Sequence, residues 1–268
     1  MLWNAKDGSI RFGGAEMDYV RFGSGKKNLI LLPGLSDGLA TVKGKALLLA
    51  APYKLFFEKY TVWMFSRRQD LPRGFSIRGM AADQAAALKA LGVEKTAVLG
   101  VSQGGMVAQY LAADFPELVE KLVLAVSAPC VNDTSRARLT DWIAFAEKGD
   151  HKALMIDTAE MSYSEGYLKK YRKTYPLLGS VGRPKSYERF LANAEAILAF
   201  DAREELGKIA CPTLVIGAAE DKIVGPAAAG ELHALIPQSE LFVYPGLGHA
   251  AYEEAKDFNE RVFRFLEA

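Results

Sequence analysis

The chemistry-bearing residues of this chain begin at Ser102, set in Gly100-Val101-Ser102-Gln103-Gly104. An apolar, strand-like run from Thr96 to Leu99 precedes it, and a helix-like stretch from Gln103 to Ala113 follows with no loop between. So sharp a bend needs small neighbours, and Gly100, Gly104 and Gly105 supply them. It lifts one side chain above the carboxyl edge of a parallel sheet, where open α/β sheets bind ligands. It also points the positive N-terminus of a helix at whatever that side chain attacks. The pattern G-x-S-x-G between strand and helix is the nucleophile elbow, and its chemistry is attack of a serine oxygen on an acyl carbon.

A serine hydroxyl is a poor nucleophile until a base takes its proton, and that base is usually histidine. The chain has His151, His233 and His249. His151 follows Gly149-Asp150 in a helical region and is expected on the surface. His233 lies within the regular helical pattern AAAGELHALI and reads as a surface or partly packed residue. His249 lies in YPGLGHAAYEEA, a glycine-rich loop after a strand, where base and nucleophile can converge, and is the candidate base.

The imidazole needs a carboxylate to fix its tautomer and stabilise its charged form. The loop GAAEDKIVGP carries Glu220 and Asp221, and both have the reach; Asp221 is preferred and Glu220 is the alternate. Two donors must face the oxyanion of a tetrahedral intermediate. One is the backbone N–H of Gln103, directly after the serine. The other belongs to the loop LLPGLSDG, where Pro33 has no N–H to give, so the donor is assigned to Leu35.

The elements that must position these groups are readable from hydrophobic period. Ile10 to Phe12 and Met17 to Phe22 form a hairpin pattern around Gly13-Gly14. Asn28 to Leu32, Thr61 to Phe65, Thr96 to Leu99 and Leu122 to Val126 read as strands, with helical stretches at 41–58 (broken at Pro52), 80–91 and 103–113 between them. Strands joined by crossover helices predict a mostly parallel α/β sheet with helices on both faces. The rhythm stops near Pro129. Helical patterns then run at 139–148, 153–160, 165–175 and 187–200, before strands at 213–216 and 240–244, a helix at 227–235 and a closing helix from Glu253. An all-helical block inside an α/β chain reads as an insertion at the sheet's edge. The boundaries are 1–129 and 208–268 for the core and 130–207 for the insertion, with hinges near Pro129 and Gly207. Trp142, Phe145, Met155, Met161 and Tyr163 are candidates to line a pocket beneath it, against the alternative that they pack the helices together.

Composition narrows the classes. With 268 residues, 50% hydrophobic and 24% charged, the chain can bury a large core. A formal net charge of +1 gives no field to draw nucleic acid or an anionic membrane. The run Lys169-Lys170-Tyr171-Arg172-Lys173 reads as a solvated helix face. The first residues lack the apolar region of a signal peptide, and no run approaches the ~20 residues of a membrane span. Two cysteines, Cys130 and Cys211, are too few for a disulfide framework or a thiolate cluster and read as small buried hydrophobes, so a cytoplasmic address is expected.

On LGVSQGG, GAAEDKIV and PGLGHAAYEE, in that order and context, the chain resembles the α/β-hydrolase fold enzymes with a helical cap, over nearly its whole length. The resemblance implies Ser102 as nucleophile, His249 as base, Asp221 as acid, and Leu35 and Gln103 as oxyanion donors. It implies a small-molecule acyl substrate and neither metal nor organic cofactor. Two departures stand out. Pro33-Gly34 replaces the family's usual His-Gly, and SRRQDLPRG stands where the family often has an Asp before Arg-Gly. A serine at the elbow argues against the dehalogenase and epoxide hydrolase relatives, which use aspartate. The expected activity is cleavage of a carboxylic ester or related acyl bond. Carbon–carbon hydrolysis, perhydrolysis and aminopeptidase action use the same triad, and a ligand sensor with slow turnover is the reading from a different class.

Overall fold

The computed structural model describes residues 2–268. Eight strands form one sheet in the order β1-β2-β4-β3-β5-β6-β7-β8. β1 (Lys6–Phe12) and β2 (Ala15–Gly23) make the expected hairpin, and β2 pairs antiparallel with β4 (Tyr60–Arg68). From there β3 (Lys27–Leu32), β5 (Thr96–Val101), β6 (Val119–Ala125), β7 (Thr213–Ala218) and β8 (Ser239–Tyr244) run parallel with β4.

The continuous apolar runs of the central strands follow from burial on both faces. Ile30, Leu32, Val98, Leu122 and Leu124 face one hydrophobic cluster. Their alternates Leu29, Leu31, Leu99, Val123 and Ala125 face the other. The first face is covered by α2 (Ile77–Ala90), α3 (Gln103–Asp114) and α8 (Ala228–Leu235). The second is covered by α1 (Ala46–Ala50) and α10 (Phe258–Glu267), which buries Phe258, Val262 and Leu266.

Between β6 and β7 lie only helices: α4 (Asp133–Glu147), α5 (His151–Ser162), α6 (Glu165–Tyr171) and α7 (Glu188–Leu198). The two ends of this segment run side by side. Ala202 N–H donates to the Pro129 carbonyl at 2.9 Å, Val131 N–H donates to that of Phe200 at 3.2 Å, and Cys130 bridges to Asp201. The second root is therefore at 200–202, and Gly207 lies beyond it in a short 3₁₀ turn, Leu206–Lys208.

Some boundaries differ from expectation. The helix expected over 41–58 is only α1 plus a 3₁₀ turn at Ala51–Phe56, because Gly44 turns the chain at φ +76° and Pro52 interrupts the hydrogen bonding. The helix expected to Tyr175 ends as α at Tyr171 and continues as 3₁₀ through Pro176. The closing helix divides into α9 (Ala251–Glu254) and α10. Among the described residues no helix is long and apolar enough to cross a membrane.

Candidate active site

β5 ends at Val101, and Ser102 turns the chain into α3 at φ +53°, ψ −118°. A residue with a Cβ is held there only by its surroundings. Ser102 N–H donates to the Ala125 carbonyl at 2.9 Å, and the Ser127 hydroxyl donates to the Ser102 carbonyl at 2.9 Å. Ser127 is aimed by Val126, itself buried at φ +44°. The glycines are required by contact. A Cβ on Gly104 would lie 1.9 Å from the Leu32 carbonyl oxygen, and one on Gly100 2.5 Å from that of Gly104. On Gly105 it would meet the Ser127 side chain at 2.6 Å.

Three loops at the carboxyl edge bring the side chains together. His249 Nε2 is 2.9 Å from Ser102 Oγ, and His249 Nδ1 is 2.8 Å from Asp221 Oδ2. The other oxygen, Asp221 Oδ1, accepts the N–H groups of Ile223 and Val224 at 2.8 and 3.0 Å. Asp221 is thus buried with both of its carboxyl oxygens hydrogen-bonded. Glu220 is exposed, and it is Asp221 that pairs with the imidazole, which separates the two acids.

The N–H of Gln103 opens α3, and that of Leu35 opens a 3₁₀ turn, Leu35–Gly38. Neither has an acceptor among the described residues. Their segments are cross-braced by buried charge. Arg67 Nη2 donates to the Pro33 carbonyl at 2.7 Å and to Gln103 Oε1 at 3.3 Å. Asp37 Oδ2 accepts Arg67 N–H at 2.9 Å and Arg189 Nη2 at 2.8 Å. Gln103 Nε2 donates to the Asn193 carbonyl at 3.1 Å. Burial lowers the Arg67 guanidinium to about 10, with Asp37 pulling the other way, so it stays protonated at neutral pH.

Residues 132–198 reach the loops around Ser102, Asp221 and His249. Asn132 Nδ2 donates to the Val224 carbonyl at 2.7 Å from the N-cap of α4. Ala250 N–H donates to the Ser162 carbonyl at 2.8 Å, so close that a Cβ on Gly248 would sit 2.7 Å from the same oxygen. Together these elements enclose a cavity of about 110 Å³ around Ser102 and His249. Ser135, Leu139 and Trp142 line it from one face of α4, at the i, i+4, i+7 spacing of a helix.

Of the five aromatic and methionine candidates, Trp142 alone lines this cavity. Phe145 and Met161 pack on the main core, and Tyr163 stacks on Tyr167 at 4.4 Å while donating to Glu253. Met155 does not reach the cavity. Met106, Val224 and Tyr252 do line it and were not singled out from the sequence; Tyr252, one turn beyond His249, was the most readable of them.

The other histidines stand apart. His233 is exposed, its Nδ1 2.8 Å from Ser239 Oγ. His151, expected at the surface, is only 2% exposed. The chain at 178–187 folds back over it, placing the Val181 carbonyl 2.9 Å from Nε2 and the Tyr187 ring 6.1 Å away. Cys130 and Cys211 are free and half-buried. No group of three or more His, Cys, Asp or Glu side chains is arranged to hold a metal ion among the described residues.

A family model described as the alpha/beta hydrolase fold matches residues 29–256. The chain is 29% identical to a putative carbamate hydrolase, RutD, of Klebsiella pneumoniae over 70% of its own length and 72% of the relative's. Among solved structures, it superposes on the enol-lactonase of Burkholderia xenovorans LB400 with a TM-score of 0.84 at 22% identity, covering 97% of this chain and 100% of that one. An esterase of Exiguobacterium antarcticum superposes with a TM-score of 0.78 at 18% identity, over 97% and 99% of the two chains. These last two likenesses establish the fold.

Proposed function

Because the chain belongs to the α/β-hydrolase fold family, we propose that it is a serine hydrolase cleaving a carboxylic ester or related acyl bond of a small organic substrate. His249 Nε2 takes the Ser102 proton as Oγ attacks the carbonyl carbon. Negative charge gathers on the carbonyl oxygen, and the N–H groups of Leu35 and Gln103 receive it. His249 then hands its proton to the leaving group, and water, activated by the same imidazole, releases the acyl group from Ser102. Asp221 holds the tautomer in which Nε2 is free to accept, and stabilises the imidazolium. The helices of 130–207 act as a cap that walls the pocket.

The hydrogen-bonded line from Ser102 Oγ through His249 to Asp221, with steps of 2.9 and 2.8 Å, supports this reading most. A sensor has no need of that complete relay. The carbamate hydrolase relative is consistent with it, since a carbamate presents the same kind of acyl carbon to a nucleophile.

The test is p-nitrophenyl acetate turnover by wild type and Ser102→Ala. The wild type is expected to show a burst followed by steady release. The variant is expected to lose at least roughly 10³-fold in rate with its melting temperature close to wild type. Retention of a substantial fraction of the rate would remove Ser102 as nucleophile.

A further inference from the structure

Two cavities meet at the Ser102 edge of the sheet. The one that contains Ser102 holds about 110 Å³. Pockets that hold drug-sized molecules run to about 300–1,000 Å³, so it has room only for a small group. The other holds about 600 Å³, and none of its lining comes from α4 to α7. It lies on the opposite side of the Pro33–Ser36 loop, between α1, α9 and the start of α10.

The larger cavity is floored by Leu31, Met64 and Leu99, side chains of β3, β4 and β5 that share one face of the sheet. Its mouth carries Leu48, 74% exposed on α1, with Leu49 beside it. The polar Glu253 and Lys256 are exposed at the rim. An apolar floor with charge only at the outer edge suits a linear aliphatic chain.

Gly34, Ser36 and Tyr252 line both cavities, and the larger one also reaches Val101, the residue before Ser102. Gly34 is close enough that a Cβ on it would lie 3.3 Å from the Ser102 Cβ. Tyr252 stands edge-on to Phe258, ring centroids 6.4 Å apart, and forms a shared wall. Burial raises its phenol well above the ordinary range, so it stays neutral.

We infer that the larger cavity is the second arm of the substrate site. It takes a linear alkyl chain of the ester while the small cavity takes the short end, and Tyr252 is the partition that sets how far the chain can pass. The inference rests on the proposed serine hydrolase reading and deepens it to a substrate class: esters with one short and one long aliphatic side.

Two ester series test it: p-nitrophenyl esters from acetate to dodecanoate, and acetate esters of alcohols of rising length. They separate an acyl occupant from an alkoxy one. In one series kcat/KM is expected to rise by about fourfold for each methylene that enters the cavity. Leu49→Trp, which plugs the cavity, is expected to lower the long-to-short ratio of that series by roughly tenfold. Tyr252→Ala is expected to raise it by a similar factor, since about two further methylenes then find apolar cover. Leu48→Glu, at an exposed position that does not threaten folding, is expected to lower the ratio severalfold. A ratio unmoved by all three variants overturns the inference.

Dodecanoate binding to the Ser102→Ala protein, measured by calorimetry, keeps this outcome separate from the catalytic reading. Binding that Leu49→Trp abolishes supports the cavity even if Ser102 is not the nucleophile. Binding that ignores Leu49→Trp counts against the cavity whatever Ser102 does.

Discussion

Ser102 occupies a conformation that costs a non-glycine residue on the order of 1–3 kcal/mol, and the fold spends five contacts around it to keep it there. Ala125, Ser127 and the three flanking glycines each act within 3 Å of the turn. The glycines were legible in the sequence because their spacing about the serine has no other use. Val126 was not, because nothing in a strand-like apolar run marks a left-handed residue at its end. The histidines show the same division. His249 stood out as the one histidine in a loop after a strand, whereas the burial of His151 depends on a return of the chain at 178–187 that no local pattern announces. Their substitutions are expected to part accordingly. His249→Ala should lose roughly 10³-fold or more in kcat, and His233→Ala less than about tenfold. His151→Ala should also keep kcat within about tenfold, yet unfold more easily by about 1–3 kcal/mol, since it removes a buried hydrogen-bonded group. Steady-state rates and denaturant midpoints on the same three proteins check this. A dead His151→Ala enzyme that remained fully stable would contradict it.

α7 does more than close the helical segment. Through Arg189 it grips Asp37, which lies two residues after Leu35, and through the Asn193 carbonyl it holds the side chain of Gln103. A Cβ on Gly38 would lie 2.8 Å from the Phe190 Cα, so the turn and the helix are packed backbone to side. Both proposed oxyanion donors therefore take their position from one helix and from Arg67 between them. The sequence carried this only as an anomaly: SRRQDLPRG departed from the family pattern, and the structure gives Arg67 of that stretch its bracing role. Arg189→Met is expected to lower kcat by about tenfold or more while KM changes little, because it loosens groups that act on the transition state. A boronic acid inhibitor, which mimics the tetrahedral intermediate, should weaken in parallel with kcat/KM, and Arg189→Lys should recover part of both. Loss of stability with unchanged boronate affinity would reduce α7 to a packing element. Asp37→Asn is the harsher variant, since it leaves buried Arg67 and Arg189 short of a counter-charge, a change that costs about 3–5 kcal/mol in buried pairs.

At the scale of the molecule, the mostly parallel sheet and its two-sided core followed from apolar runs of strand length alternating with helical periods, because each central strand must bury both its faces; the order of the strands did not. How the helices of 133–198 dock was not legible, since their residues suit packing on one another as well as walling a pocket. The structure ties them to the site at Val224, Ala250 and Asp37, and their two roots are hydrogen-bonded together at 129–131 and 200–202. On the proposed reading of this segment as a cap, an effect on specificity should come from the shape it gives the pocket. Trp142 and Met161 separate the two roles that these helices could play. Trp142 lines the cavity, its Nε1 donating to Asp157 at 2.7 Å, while Met161 packs on the core away from it. Trp142→Ala should therefore move the preferred ester toward a bulkier short-side group, in addition to costing stability. Met161→Ala should lower stability by about 0.5–3 kcal/mol and leave the preference ratio where it was. Leu139→Ala, a smaller excision from the same face of α4, guards against misreading a Trp142 variant that folds poorly. Melting curves and substrate profiles on the three variants decide between the roles. If the profiles of Trp142→Ala and Leu139→Ala both superpose on that of the wild type, the helices stabilise the fold without shaping what enters it.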